Sequence, residues 1–201
     1  LESTPIRIEA EHRGLPLLQP QEIGQTEALD WMRQQNPDLG CVVAFGQFLP
    51  KRVRELPEHG LINAHASLLP SYRGAAPIEH ALADGNRETG ITIMRIEREM
   101  DAGDWCTRRA VEIGAAETAG ALTERLSSLA GPLLVEAVDQ ISEGTAVFVP
   151  QDPDQATYAP KLTQSFGSLN FDTATERVLL QIRAATPHPA VSVQLGLAER
   201  D

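Results

Sequence analysis

Two polar residues close an otherwise apolar stretch, Leu61-Ile62-Asn63-Ala64-His65, which runs on into Ala66-Ser67-Leu68-Leu69-Pro70. Leu61 to His65 has the length and character of a buried strand. Residues two apart on a strand share a face, so Asn63 and His65 are predicted to stand side by side. An amide beside an imidazole suits an oxygen that gains negative charge. Asn63 donates one hydrogen bond, and His65 donates another or carries a positive charge. The plainer reading is that both are satisfied by backbone, since polar groups at a buried strand end must find partners. A carboxylate would complete the set by holding the imidazole and moving a proton. Asp101 and Asp104, both in the turn Met100-Asp101-Ala102-Gly103-Asp104, qualify. An acid in such a turn is most often a turn former, and the physics of the sequence does not choose between the two.

The loop after His65 is the next candidate. Ser67-Leu68-Leu69-Pro70-Ser71-Tyr72-Arg73-Gly74 is stiff at Pro70 and free at Gly74. Such a loop either presents backbone N–H and C=O groups to a planar heterocycle or merely connects. His12, His59, His80 and His188 have no spacing with cysteines or acids that suggests a metal. No G-x-G-x-x-G, P-loop or G-x-S-x-G motif occurs. Lys51-Arg52-Val53-Arg54 reads chiefly as a solvated helix face, with phosphate contact as the sharper alternative.

These residues need elements to hold them. Short strands are expected at 14–18, 41–45 (covered on both faces), 61–65, 90–96 and 105–111, and helices at 26–35, 51–56, 75–83 and 118–143. In the longest helix Leu122, Leu126, Leu129, Leu133, Leu134, Ala137, Val138 and Ile141 form one stripe, with a kink expected at Gly131-Pro132 and Gly144 past the end. A linker is expected around 163–172, then a further helix from Thr173 to Ala184. Strands alternating with helices imply an α/β domain with a mainly parallel sheet. Ligands bind such sheets beyond the strands' carboxyl ends, where Asn63 and His65 lie.

Composition bounds the rest. The chain has 201 residues, 42% of them hydrophobic but only 4% aromatic, so the core must be aliphatic. A formal charge of −11 argues against a general nucleic-acid or anionic-membrane surface. The two cysteines, Cys41 and Cys106, make neither a disulfide framework nor a zinc site by spacing, and a reducing, cytoplasmic setting is the simplest reading. The chain opens at Leu1 and stops at Asp201 without a closing element, so it reads as a fragment.

The stretch LINAHASLLPSYRGAAPIEHAL, followed by ETGITIMRIEREMDAGD, resembles the folate-dependent formyltransferases, and within them the branch that acts on methionyl-tRNA. AFGQFLP before it, and QDPDQATYAPKL and IRAATPHPA after it, extend the resemblance over nearly the whole chain. It implies a Rossmann-like formyltransferase domain over residues 1–162, a linker over 163–172, and at 173–201 the start of a truncated C-terminal β-barrel domain. A region before Leu1 would also be missing. The implied donor is 10-formyltetrahydrofolate, with no metal. The implied acceptor is the α-amino group of methionine on initiator tRNA, formylated for translation initiation. The family's catalytic roles fall on Asn63, His65 and Asp101, which selects Asp101 over Asp104 by analogy. Its folate-contact segment falls on Ser67, Leu68, Leu69 and Pro70. A monomer without a membrane partner is expected. Any tRNA contact within this acidic piece should be local, through Lys51 to Arg54 or Arg73. The alternatives are a formyltransferase acting on a sugar nucleotide or on glycinamide ribonucleotide, and a folate-binding module without catalysis.

Overall fold

The computed structural model describes residues 4–193. In chain order the elements are α1 (Pro5–His12), α2 (Thr26–Gln35), β1 (Gly40–Val43), α3 (Lys51–Arg54), β2 (Leu61–His65), β3 (Arg73–Gly74), α4 (Pro77–Ala83), β4 (Glu88–Arg95), β5 (Trp105–Glu112), α5 (Ala119–Ser142), β6 (Tyr158–Ala159) and α6 (Thr175–Ala184). The main sheet runs β1-β2-β4-β5, and β3 pairs with β6 in a separate two-stranded ribbon.

The α/β architecture is as expected, and the sheet is mixed. β1 and β2 are parallel, whereas β2–β4 and β4–β5 are antiparallel. The short connection from β4 to β5 allows only an antiparallel return, because a parallel one needs a crossover of a dozen or more residues. β4 is buried from Thr89 to Met94, sandwiched between its neighbours and α5. α5 starts at Thr118, whose hydroxyl accepts from the Ala121 N–H, and its stripe of Leu122, Leu126, Ala130, Leu133 and Ala137 is buried on the sheet. Gly131 and Pro132 fall on the exposed side, and α5 continues through them. Gly144, at φ +68, closes the helix end. Together with Ile62, Ile91 and Ile93 this makes the expected aliphatic core. Truncating a fully buried leucine such as Leu122 costs about 2–5 kcal/mol.

Three local expectations change. The segment 14–18 is not a strand: Gly14, at φ +64, ends α1, and Leu15 and Leu17 are exposed with no partner strand among the described residues. The expected strand 41–45 stops at Val43, because Ala44 turns to φ +48, and among the described residues it is not covered on both faces. β1 lies at the sheet edge with Cys41 and Val43 exposed. Helix α1 was not foreseen, although Pro5 in its first turn and a Thr4 cap are ordinary start signals.

Residues 163–172 contain a 3₁₀ turn at 164–167, and α6 packs along α4 with Val178 and Ala184 buried. Arg183 secures it by donating from Nε to the Glu117 carbonyl at 2.8 Å and from Nη2 to the Gly114 carbonyl at 2.9 Å. The last part of the expected second-domain start, 194–201, lies outside the described residues.

Candidate active site

The carboxyl end of β2, the strand between β1 and β4, carries Asn63 and His65 on one face. Asn63 is half-buried, and its amide has no hydrogen-bond partner among the described residues. His65 is 5% exposed. Its Nε2 lies 2.8 Å from the Tyr72 carbonyl, which can only accept, so Nε2 carries a proton. The other ring nitrogen, Nδ1, is 3.7 Å from Asp101 Oδ2, within ion-pair range but longer than a hydrogen bond. Asp101 Oδ2 also accepts from the Gly74 N–H at 2.8 Å. The acid at His65 is thus Asp101. Asp104 serves the hairpin through its backbone, its carbonyl accepting from the Arg95 N–H at 2.8 Å.

The loop from Ser67 to Gly74 is held from several sides. Thr92 of β4, fully buried, donates from Oγ1 to the Ser67 carbonyl at 2.7 Å and accepts from the Leu69 N–H at 3.1 Å. Ser67 Oγ donates to the Ser71 carbonyl at 2.5 Å. Ser67 and Leu69 are fully buried, so the segment turns only Leu68 and Pro70 partly outward. Tyr72 is left-handed, at φ +62, and its N–H donates to Thr157 Oγ1 at 2.8 Å. Its hydroxyl donates to Asp84 Oδ2 at 2.8 Å and accepts from the Asn86 amide. Burial, then the hydrogen bond to Asp84, pushes this phenol up to about 12. Pairing of β3 with β6 sets Arg73 opposite Tyr158 and Gly74 opposite Ala159. Gly74 is required there: its φ is +124, and a Cβ would stand 2.5 Å from the Ala159 carbonyl oxygen.

Arg73 is not a surface cation. It is 3% exposed, and its guanidinium points to Gln151 and Glu99. In the Lys51–Arg54 helix Val53 is buried, Arg54 Nε donates to the Leu49 carbonyl at 3.1 Å, and Lys51 lies 3.6 Å from Glu55. His80 bonds the Pro160 carbonyl at 3.1 Å and meets the Phe166 ring edge-on. Among the described residues no His, Cys, Asp and Glu side chains group to hold a metal ion. A cavity of about 350 Å³ between α4 and α6 contains none of Asn63, His65 and Asp101.

Sequence reasoning missed Gln151 and Thr157, and it read Thr92 only as part of a strand. No spacing rule ties residues 151–159 to 70–76. The only signal was that QDPDQATYAPKL belonged to the resemblance.

The chain is similar to known proteins along most of its length. The pattern of the formyl transferase family matches residues 2–138. The methionyl-tRNA formyltransferase of Kosmotoga olearia is 43% identical over 194 residues, covering 96% of this chain and 62% of that protein. That of Geobacter metallireducens is 41% identical over 191 residues, covering 95% and 61%. The chain thus spans about three fifths of the length of these curated relatives. Among solved structures, WlaRD, a sugar 3N-formyl transferase crystallised in the presence of dTDP and 5-N-formyl-THF, superposes with a TM-score of 0.71 at 18% identity, covering 87% of this chain and 60% of WlaRD. HypX from Aquifex aeolicus in complex with tetrahydrofolic acid superposes at 0.70 with 20% identity, covering 83% and 30%. At these identities the two structures speak to the fold alone.

Proposed function

Because the chain belongs to the formyl transferase family, we propose that it is the catalytic part of an enzyme that moves a formyl group from 10-formyltetrahydrofolate to the α-amino group of methionine on initiator tRNA. The observation that carries this reading is the convergence at the end of β2: an Asn63 amide without a hydrogen-bond partner among the described residues, a buried His65, and Asp101 Oδ2 3.7 Å from the His65 ring. Residues 1–162 are assigned the chemistry, in a monomeric cytoplasmic protein. No helix among the described residues is long and apolar enough to cross a membrane.

Each residue has a distinct task. The folate supplies an electrophilic formyl carbon. Asn63 donates to the formyl oxygen as the attacking amine pushes negative charge onto it. His65 turns its remaining ring nitrogen, Nδ1, towards the same developing charge, its ring fixed by the Nε2 bond to the Tyr72 carbonyl. Asp101, anchored by the Gly74 N–H, orients Nδ1 and passes the proton from the attacking amine towards the departing nitrogen. The segment 67–70 fits a flat ring: Thr92 and Ser71 satisfy its inner polar groups, which leaves Leu68 and Pro70 to meet a ligand face. Similarity of about 40% to methionyl-tRNA formyltransferases over 95% of this chain supports the tRNA acceptor.

The test offers the full-length protein 10-formyltetrahydrofolate and three acceptors: methionyl-tRNA, glycinamide ribonucleotide and an amino-sugar nucleotide. Transfer to methionyl-tRNA is expected. Transfer only to either of the others overturns the acceptor assignment, and folate binding without transfer to any of the three overturns the enzyme reading.

A further inference from the structure

Gln151 follows α5 and lies 50 residues beyond Asp101 in sequence. Its side-chain amide makes four hydrogen bonds. Oε1 accepts from Arg73 Nε at 3.0 Å and from Arg73 Nη2 at 2.9 Å. Nε2 donates to the Asp101 carbonyl and to the Gly103 carbonyl, both at 2.8 Å. A guanidinium only donates and a carbonyl only accepts, so the chemistry of the partners fixes which way the amide points. Arg73 has a side chain 4% exposed, and its remaining amine, Nη1, reaches Glu99 at 3.5 Å. A buried guanidinium is costly unless its donors are met, and Gln151 meets two of them.

The geometry at Asp101 gives this network a purpose. Asp101 lies at φ +52, a left-handed conformation that most residues with a Cβ avoid and that Asp and Asn adopt as single residues in turns. It is gripped at both ends from one place. The Gly74 N–H takes its carboxylate, and the neighbouring Arg73 side chain, through Gln151, takes its carbonyl. The second Gln151 bond, to Gly103, holds the far side of the same turn.

We propose that Gln151 is a positioning residue for formyl transfer: clamped by Arg73, it fixes the left-handed turn that aims the Asp101 carboxylate at His65. The inference rests on the proposed roles of Asp101 and His65. Gln151 touches no reacting atom and acts through Asp101. A displacement of the carboxylate by about 1 Å is enough to lower turnover up to ~100-fold.

The experiment uses the full-length protein and counts sites competent to bind 5-formyltetrahydrofolate, so that turnover is expressed per competent site. Gln151→Glu keeps an acceptor for Arg73 but replaces both donors to the turn. Its kcat per competent site is expected to fall about 10- to 100-fold, with KM for the formyl donor and for methionyl-tRNA within about twofold of the parent. Arg73→Lys, which retains a cation but not the two-pronged grip, is expected to give a smaller loss of the same kind. A purely structural amide would reduce the number of competent sites and leave kcat per site unchanged, and that result overturns the inference. If Gln151→Glu binds no folate, Arg73→Lys decides by the same criterion. Loss of folding in both variants also overturns it. A parent protein that formylates no methionyl-tRNA instead overturns the functional reading beneath it.

Discussion

An imidazole bonded through Nε2 to a backbone carbonyl has one nitrogen left for chemistry, and at His65 that nitrogen faces Asp101. Asn63, whose amide has no hydrogen-bond partner among the described residues, is the group proposed to receive a ligand oxygen. Replacing either Asn63 or His65 by alanine is expected to lower kcat by about 100- to 1000-fold, as loss of a developing-charge donor does. Steady-state formylation by each variant checks this, and near-parental turnover in either removes that residue from the mechanism. The pairing of Asn63 with His65 was legible, because a strand's period of two needs no tertiary information. The choice of Asp101 over Asp104 was legible only through the resemblance, not through physics: three residues apart in one turn, they differ in environment only once β3 supplies the Gly74 N–H. Arg73 shows the converse. Its type suggested the surface, but a two-residue strand with a buried outlook turned it inward.

At the scale of elements, the loop after β2 is shaped by a strand it does not adjoin in sequence. Thr92 satisfies one donor and one acceptor of residues 67–69 from within a buried strand. Thr92→Val keeps the shape and strands both groups, so it is expected to destabilise the protein by about 1–3 kcal/mol for each group left unpaired. Thr92→Ser keeps both bonds and is expected to lose clearly less. Urea unfolding of the two variants tests this, and equal losses would assign Thr92 to packing alone. Long periodic elements such as α2 and α5 were readable because their apolar spacing decides them. β3 and β6 were not, since two-residue strands carry no periodicity and exist only through each other. The edge position of β1 among the described residues was hidden for a related reason: an apolar run reports hydrophobicity, not whether a neighbour is present to cover it.

Taken together, the 201 residues carry a formal charge of −11, and Arg73, one of their 17 cations, is buried. Binding to a phosphate backbone draws on exposed cations that release counterions. On the proposed reading, this 201-residue chain is expected to bind tRNA at least about tenfold more weakly than a full-length methionyl-tRNA formyltransferase at ~0.15 M salt. Filter binding of the two proteins to the same tRNA measures it, and equal affinity would place the tRNA-binding surface within these 201 residues. The core and the site also differ in how they are distributed along the chain. The aliphatic core is nearly complete by the end of α5, whereas the ties around the site reach much further: Tyr72 to Thr157 spans 85 residues and Arg73 to Gln151 spans 78. At a synthesis pace of about 5–20 residues per second, Tyr72 emerges on the order of ten seconds before its partner exists. During each round of synthesis there is therefore an interval in which the sheet can already be packed while Asp101 still lacks the clamp that would aim it.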